Sequence, residues 1–149
     1  MLFRSIDEVE GGPALFSQLG LPRPLFAQMT CDQVGCVRRG EWEYGLAFDG
    51  TITRIVPGRA YWVRLEADLS DLQPGPAPLD QIGGAVFDMV DDGYVIEELD
   101  DGSAILHLYS SYRVTTRINW YAGWWLDRLM ADIQGYILRV ERVRSEAAG

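Results

Sequence analysis

The most chemically distinctive residue of this chain is an arginine inside an alternating stretch of its first half. Cys36, Arg38 and Trp42 fall on the apolar side of the alternation, which is expected to face inward. An unpaired guanidinium would be strongly unfavourable there, so Arg38 should meet either a carboxylate such as Glu98 or an oxygen atom of a ligand. A register slip at Gly40 would instead turn the arginine outward.

Two residues with hydroxyl side chains are also expected to face inward later in the chain. Ser110 and Tyr112 lie on the inward side of an alternating segment over residues 103–115. Their hydroxyl groups could form hydrogen bonds with a ligand carbonyl, and the alternative is a tyrosine that is hydrogen-bonded within the core. Together with Arg38, these two residues are the polar candidates for a binding site.

The sequence does not indicate a nucleophilic or metal-based site. His107, the single histidine, falls on the outer side of its segment with no acid at a fixed spacing, which argues against a Ser-His-Asp or Cys-His arrangement. With Cys31 and Cys36 it offers too few ligands for structural zinc. Hairpin turns explain the Asp-Asp-Gly stretches at 91–93 and 100–102. We therefore predict no catalytic residue, no metal and no cofactor.

These candidates must be positioned by a run of strands and one long helix. Alternation and short connections over residues 33–115 predict an antiparallel meander, with a Pro-rich loop at 68–84. Apolar residues at spacings of three or four predict a helix over 120–144, with Asn119 able to cap its start. The first 30 residues suit one or two short helices and a turn.

Composition and charge restrict the class of partner. At 149 residues the chain suits one domain, residues 1–149, and it contains no apolar run long enough for a membrane span. The net charge is −9 and all 13 basic residues are arginine, without a basic stripe or tail to neutralise phosphates or anionic lipid. We predict no nucleic-acid partner. Two cysteines are too few for a disulfide framework, so a cytoplasmic location is expected.

An aromatic cluster marks the start of the long helix. On a helical wheel Trp125 and Tyr136 flank the apolar side, which predicts that they belong to the core or to a cavity wall. Trp120 and Trp124, one helical turn apart, project away from that side. Either the N-terminal segment or a partner subunit covers these two rings, or they form an exposed patch for a protein or membrane surface.

The order of elements and several segments resemble one known superfamily. The stretch SYRVTTRINWYAGWW at 111–125 is the most specific, and LGLPRPLFAQM at 19–29, VGCVRRGEWEYG at 34–45 and ITRIVPGRAYWVRL at 52–65 add to it. From about residue 15 to its end, the chain resembles the START-like polyketide cyclase superfamily, often called SRPBCC. This resemblance implies an α+β helix-grip fold, in which a curved antiparallel sheet wraps around a long C-terminal helix.

The N-terminus departs from the pattern of this superfamily. Its members usually open with a strand, whereas MLFRSIDEVEGG at 1–12 is typical of a helix, so the first strand is expected to be absent or displaced. Without that strand the sheet would expose unpaired edges beside its second and last strands. Either a second copy of the chain covers those edges in a homodimer, or the true start lies upstream.

The resemblance implies a binding function without a common catalytic motif. A hydrophobic or amphipathic molecule, lipid or polyketide-like, would lie between the sheet and the C-terminal helix. The alternatives are a cyclase or dehydratase, or an interaction protein with a filled interior, because fold alone does not determine chemistry. Alternation predicts a wall with Arg38 as its orienting polar group, formed by Trp42, Phe48, Tyr61, Val63, Leu65, Leu108, Tyr112, Trp125 and Leu129.

Overall fold

The computed structural model describes residues 3–4, 15–83, 86–117 and 119–148. Within these ranges a seven-stranded antiparallel sheet, its strands in chain order, is followed by one long helix, as the predicted α+β class requires. The elements are β1 (Phe3–Arg4), α1 (Leu15–Gln18), β2 (Pro24–Met29), β3 (Val37–Trp42), β4 (Ala47–Val56), β5 (Ala60–Asp68), β6 (Phe87–Glu98), β7 (Ala104–Val114) and α2 (Asn119–Ala148).

The central strands form as their alternation predicts. Ile52 of β4 and Val63 of β5 lie opposite each other and are completely buried, and Leu65 is buried two residues further along. Branched side chains of this kind pack well on a pleated surface, which favours strand over helix here. Together with Leu46 and Phe48 they form a hydrophobic cluster beneath the middle of the sheet. The predicted inward faces of both strands are confirmed.

The turn predicted at residues 91–93 is wrong, whereas the turn at 100–102 is correct. β6 continues through Asp91, Asp92 and Gly93, with a register shift between Met89 and Asp91. A Cβ at Gly93 would lie 2.5 Å from the Trp62 ring, so glycine is required there by the close approach of a neighbouring side chain. The strand is therefore longer than expected, and Asp92 lies inside the sheet.

The N-terminal segment also differs from the prediction. Phe3–Arg4 form a short strand that pairs antiparallel with β2, so a first strand is present instead of the expected helix at these two residues. The rest of the segment up to residue 14 lies outside the described residues. Among the described strands, β7 forms an edge of the sheet without a second neighbour. The homodimer that would cover such an edge stays a prediction.

Alternation from Val34 to Tyr44 predicts a strand over that range, whereas β3 begins at Val37 and ends at Trp42. Its end is explained by Tyr44 and Gly45, which adopt left-handed backbone conformations with φ of 62° and 72°. A Cβ at Gly45 would lie 2.0 Å from the Asp71 carbonyl oxygen, so only glycine allows this close contact with the Pro-rich loop.

A disulfide bond joins the two cysteines. Cys31 and Cys36 lie at the connection between β2 and β3, with their Cα atoms 5.6 Å apart. The sequence does not predict this bond, because pairing depends on the distance between Cβ atoms and not on the number of cysteines. Disulfide bonds are more typical of oxidising compartments than of the cytoplasm, and the cytoplasmic location stays a prediction.

The long helix forms where the periodicity predicts it, although it extends to Ala148. Tyr136 and Val140 are buried against Phe16 of α1 and Ala27 of β2, which confirms the core position predicted for Tyr136. The predicted cap by the side chain of Asn119 lies outside what the structure describes. No helix in the described part of the chain is both long and apolar enough to cross a membrane.

Candidate functional site

A cavity of about 280 Å³ lies between the sheet and α2. Ligand pockets usually measure about 300–1,000 Å³, so this volume is just below the lower end of that range. Every strand from β2 to β7 contributes to its wall, because the curled sheet turns one face of each strand toward the helix. The wall is mostly apolar and includes Leu21, Phe26, Ala27, Leu46, Leu79, Ile82, Phe87, Met89, Leu126, Met130, Ile133 and Ile137.

Six of the ten predicted site residues lie on this wall. Trp42 and Phe48 meet edge to face there, with ring centroids 6.0 Å apart. Of the two predicted residues on α2, Leu129 lines the cavity. These six residues, drawn from four strands and the helix, are Arg38, Trp42, Phe48, Leu65, Leu108 and Leu129.

The other four predicted residues do not line the cavity. Val63 is completely buried in the cluster beneath the sheet, and Tyr61 stacks on Tyr94, which does line the cavity. Tyr112 donates a hydrogen bond from its hydroxyl to Asp127, and it thereby joins β7 to the first turns of α2. Burial and this carboxylate raise the pKa of Tyr112 to about 12.

Trp125 is misplaced by the prediction, because its ring is 45% exposed instead of buried. The helix turns about 100° per residue, so a face that presents Leu126 and Leu129 to the cavity turns Trp125 aside. Its ring packs edge to face on that of Trp124, with centroids 5.0 Å apart. The predicted core role is therefore wrong.

Arg38 extends over the inner face of the sheet. Its guanidinium carbon lies 5.7 Å from the centre of the Tyr94 ring, although β3 and β6 are separated by two intervening strands. Strands lie about 4.8 Å apart, so only a strongly curled sheet brings these side chains together. Gly50, which has no side chain, lies opposite Arg38 in the neighbouring strand. The register of β3 is regular through Gly40, so the alternative slip does not occur.

The acid expected to accompany Arg38 is a different one. Glu98 is exposed at the end of β6, and the negative charges that act on Arg38 are those of Asp92 and Glu141. Asp92 lines the cavity and accepts a hydrogen bond from the hydroxyl of Ser110, its direct neighbour in β7. The arginine therefore shares the cavity wall with an acid that the sequence analysis assigned to a turn.

Burial changes the protonation of this cluster. It raises the pKa of Asp92 to about 6, although the hydrogen bond from Ser110 and the charge of Arg38 act in the opposite direction. Burial also raises the pKa values of Tyr61 and Tyr94, so both phenols stay neutral at physiological pH. The wall thus offers one permanent cation, one acid that titrates near neutrality and neutral hydroxyl groups.

Asp92 and Tyr94 are the functional candidates that sequence reasoning missed. The Asp-Asp-Gly stretch favoured a hairpin, and this turn signal outweighed the alternation. Continuing the alternation backwards from Tyr94 would have put Asp92 on the same face, opposite the inward residues Leu108 and Ser110 of the next strand. The register was therefore available from the pattern once the turn was discarded.

The outer face of the sheet offers less chemistry. His107 lies within 2.8 Å of a Glu97 oxygen and stacks on Tyr109, a surface arrangement without a nucleophile. Among the residues that the structure describes, no group of three or more histidine, cysteine or acidic side chains is arranged to hold a metal ion.

Comparisons with protein-family models, curated proteins and solved structures find no match for this chain. The resemblance to the START-like superfamily therefore rests on the sequence segments and stays a prediction. The antiparallel meander followed by a C-terminal helix is compatible with it.

Proposed function

We propose that the protein belongs to the START-like superfamily, with a helix-grip fold, and binds a small amphipathic molecule. The apolar body of the ligand, lipid or polyketide-like, occupies the cavity, and its polar end lies at Arg38 and Asp92. The observation that carries this proposal is an apolar cavity with charged groups in its wall. Ligand sites commonly combine an apolar lining with a few convergent polar groups.

The energetics of the polar groups support a ligand in preference to a purely structural role. Arg38 and Asp92 are both partly buried, and such charged groups lose hydration that their mutual attraction rarely restores in full. Loss of hydration raises the pKa of Asp92 to about 6 although the charge of Arg38 lowers it, so the charged form of Asp92 is disfavoured. A ligand oxygen in front of Arg38 would supply a further hydrogen bond to the guanidinium, which presents five donors.

Native mass spectrometry of the freshly purified protein tests this proposal. We expect a noncovalent adduct in the wild type and its loss in Leu129→Trp, which fills the cavity from α2. Ala131→Trp adds a ring on the exposed side of the same helix and should keep the adduct. A wild type that carries no adduct and takes up no added decanoate would refute the proposal, as would equal loss in both variants.

A second candidate is an enzyme that removes a proton next to a ketone, as in the first step of a cyclase. The observation that favours it is that Asp92 and Arg38 line the same cavity and that the charge of Arg38 acts on Asp92. A carboxylate with a pKa of about 6 is a stronger base than ordinary aspartate and is still ionised at pH 7. Asp92 would take the proton, the electrons of the broken C–H bond would move to the carbonyl oxygen, and Arg38 would stabilise that negative charge.

Exchange of ketone protons for deuterium distinguishes the two candidates. In D₂O, reversal of this step returns a deuteron to the carbon, so we expect ¹H NMR to show loss of the methyl signal of acetophenone only with active protein. Asp92→Asn should abolish the exchange while decanoate binding persists. Asp91→Asn, which changes the neighbouring acid that does not line the cavity, should exchange like the wild type. Background exchange in all three samples would leave binding as the function.

A further inference from the structure

The first turns of α2 expose a cluster of aromatic rings that the proposed binding function does not use. Trp120 is 80% exposed, Trp124 57%, Tyr121 47% and Trp125 45%. We call these four residues the aromatic patch. With about 200 Å² per ring, their exposed area is on the order of 450 Å², as large as the largest apolar patch of a typical monomer. Such patches commonly mark interaction sites.

Helical geometry arranges the patch in two adjacent rows. Trp120 and Trp124 are four residues apart, and the same row continues to the exposed Arg128. Tyr121 and Trp125 form the second row. The rings contact each other in edge-to-face pairs, Trp120 with Tyr121 at 5.8 Å and Trp124 with Trp125 at 5.0 Å between centroids. The two ring pairs lie one helical turn apart on neighbouring positions of the helix surface.

The sequence segment that carries the patch has a net charge opposite in sign to that of the rest of the chain. Residues 113–128 contain three arginines and one aspartate, which gives this segment a net charge of +2. Because the whole chain has a net charge of −9, the remaining residues together have a net charge of −11. Arg113, Arg117 and Arg128 are all exposed, whereas Asp127 accepts the hydrogen bond of Tyr112. Arg117 precedes the helix and Arg128 follows Trp124 by one turn, so cations flank the rings at both ends. Whole-chain charge conceals this local excess.

We propose that the aromatic patch and its flanking arginines bind the surface of an anionic phospholipid bilayer. Tryptophan and tyrosine prefer the interface between headgroups and acyl chains, and arginine binds phosphate. A second copy of the chain is the less suitable occupant, because stable protein interfaces bury about 800 Å² per partner, well above the area of the patch. The arginines would also repel each other across a symmetric contact.

Docking in this orientation would hold the cavity near the membrane. Leu126 and Leu129 line the cavity on the turns of α2 that adjoin the patch, so the helix presents lipid-facing rings and cavity wall in the same segment. The docking surface is nevertheless independent of the bound molecule. The cavity-filling Leu129→Trp should bind vesicles like the wild type, so failure of one proposal is distinguishable from failure of the other.

Sedimentation with vesicles tests the docking. We expect the wild type to bind vesicles of phosphatidylcholine and phosphatidylglycerol with a blue shift of tryptophan fluorescence, and Trp120→Ala with Trp124→Ala to lower the affinity at least tenfold. Tyr109→Ala removes a ring that is 54% exposed on the outer face of the sheet, and it should bind normally. Absence of wild-type binding, or equal binding by the double tryptophan variant, would overturn the proposal.

A second set of variants tests the charge. Arg117→Gln with Arg128→Gln should weaken binding to the anionic vesicles at least fivefold, whereas Arg64→Gln with Arg142→Gln, exposed arginines remote from the patch in the sequence, should not. Analytical ultracentrifugation tests whether the aromatic patch instead joins two copies of the chain. A wild-type dimer that becomes monomeric in the double tryptophan variant would show that the patch joins two copies of the chain and would overturn membrane docking.

Discussion

Asp92→Asn should stabilise the folded protein at pH 7 by about 2–3 kcal/mol, although it removes a charge beside Arg38. The reason is the pKa of about 6 in the folded protein, against 3.8 for an ordinary aspartate. Each pKa unit corresponds to about 1.4 kcal/mol, and the small remaining exposure of the side chain reduces the total. Asparagine keeps an oxygen that accepts the hydrogen bond from Ser110.

The pH dependence gives this prediction its sign. Below about pH 4 Asp92 is protonated in the folded and unfolded states, so the wild type and the variant should be similarly stable. Between about pH 4 and 6 the unfolded chain releases the proton while the folded protein retains it, so this group makes the wild type less stable as pH rises. Above about pH 6 the difference levels off. Urea unfolding of both proteins at several pH values measures it.

Asp68→Asn supplies a control of opposite sign. Hydrogen bonds from Ser70 and Arg39 lower the pKa of Asp68 to about 2, so its ionised form stabilises the fold. That stabilisation is present above about pH 4 and is lost as pH falls through 2. Asp68→Asn should therefore be less stable than the wild type at pH 7 and approach its stability below about pH 2. If Asp92→Asn behaves in the same way as Asp68→Asn, Asp92 is not buried as described.

A stability gain on removing a buried acid also bears on function. Groups that lower the stability of a folded protein are often found where they act on a ligand or substrate. This is the usual origin of the trade-off between stability and activity. Asp92 lies in the cavity wall with Arg38, not in an ion pair on the outer face such as that of Arg39 with Asp49. This position agrees with the proposed role of Asp92 at the polar end of a ligand.

The sheet and the helix were predictable because periodicity reports burial directly. Ile52, Val63 and Val140 each belong to an apolar pattern with the spacing of a strand or a helix. All three are fully buried. The errors occur where two local signals compete. At Gly93 the Asp-Asp-Gly pattern favours a turn, yet the ring of Trp62 requires the same glycine within a continuous strand. No property of the isolated segment separates these explanations.

The cavity was only partly predictable for a related reason. Alternation gives the face of a residue but not the curvature of the sheet, which decides whether that face meets a cavity or a packed core. Leu65 and Val63 are both inward, yet only Leu65 lines the cavity. The contact of Arg38 with Tyr94 joins strands far apart in sequence and depends on curling alone.

Arg38→Gln should weaken binding of decanoate about ten- to hundredfold while changing the affinity for decanol much less. Hydrogen bonds to charged groups contribute about 1.5–3 kcal/mol, and each 1.4 kcal/mol is a factor of ten in affinity. The carboxylate loses its charged donor, whereas both ligands keep the same apolar contacts in the cavity. Isothermal titration calorimetry with the two ligands separates the headgroup from the chain.

Arg39→Gln is the matched control, because Arg39 is the next residue and points to the opposite face. It bonds to Asp49 and Asp68 there, so its loss should lower stability slightly without affecting either ligand. Equal weakening of decanoate and decanol by Arg38→Gln would mean that the variant disturbs the cavity as a whole. That result would contradict a headgroup site at Arg38.

The same variant should also move the titration of Asp92. Because the positive charge of Arg38 lowers the pKa of Asp92, its removal should raise that pKa above about 6. The stabilities of the wild type and Asp92→Asn diverge over one pH range. The stabilities of Arg38→Gln and the double variant Arg38→Gln/Asp92→Asn should diverge over a higher pH range. Comparing these two pairs isolates the interaction between the two residues. An unchanged range would show that the charge of Arg38 does not act on Asp92.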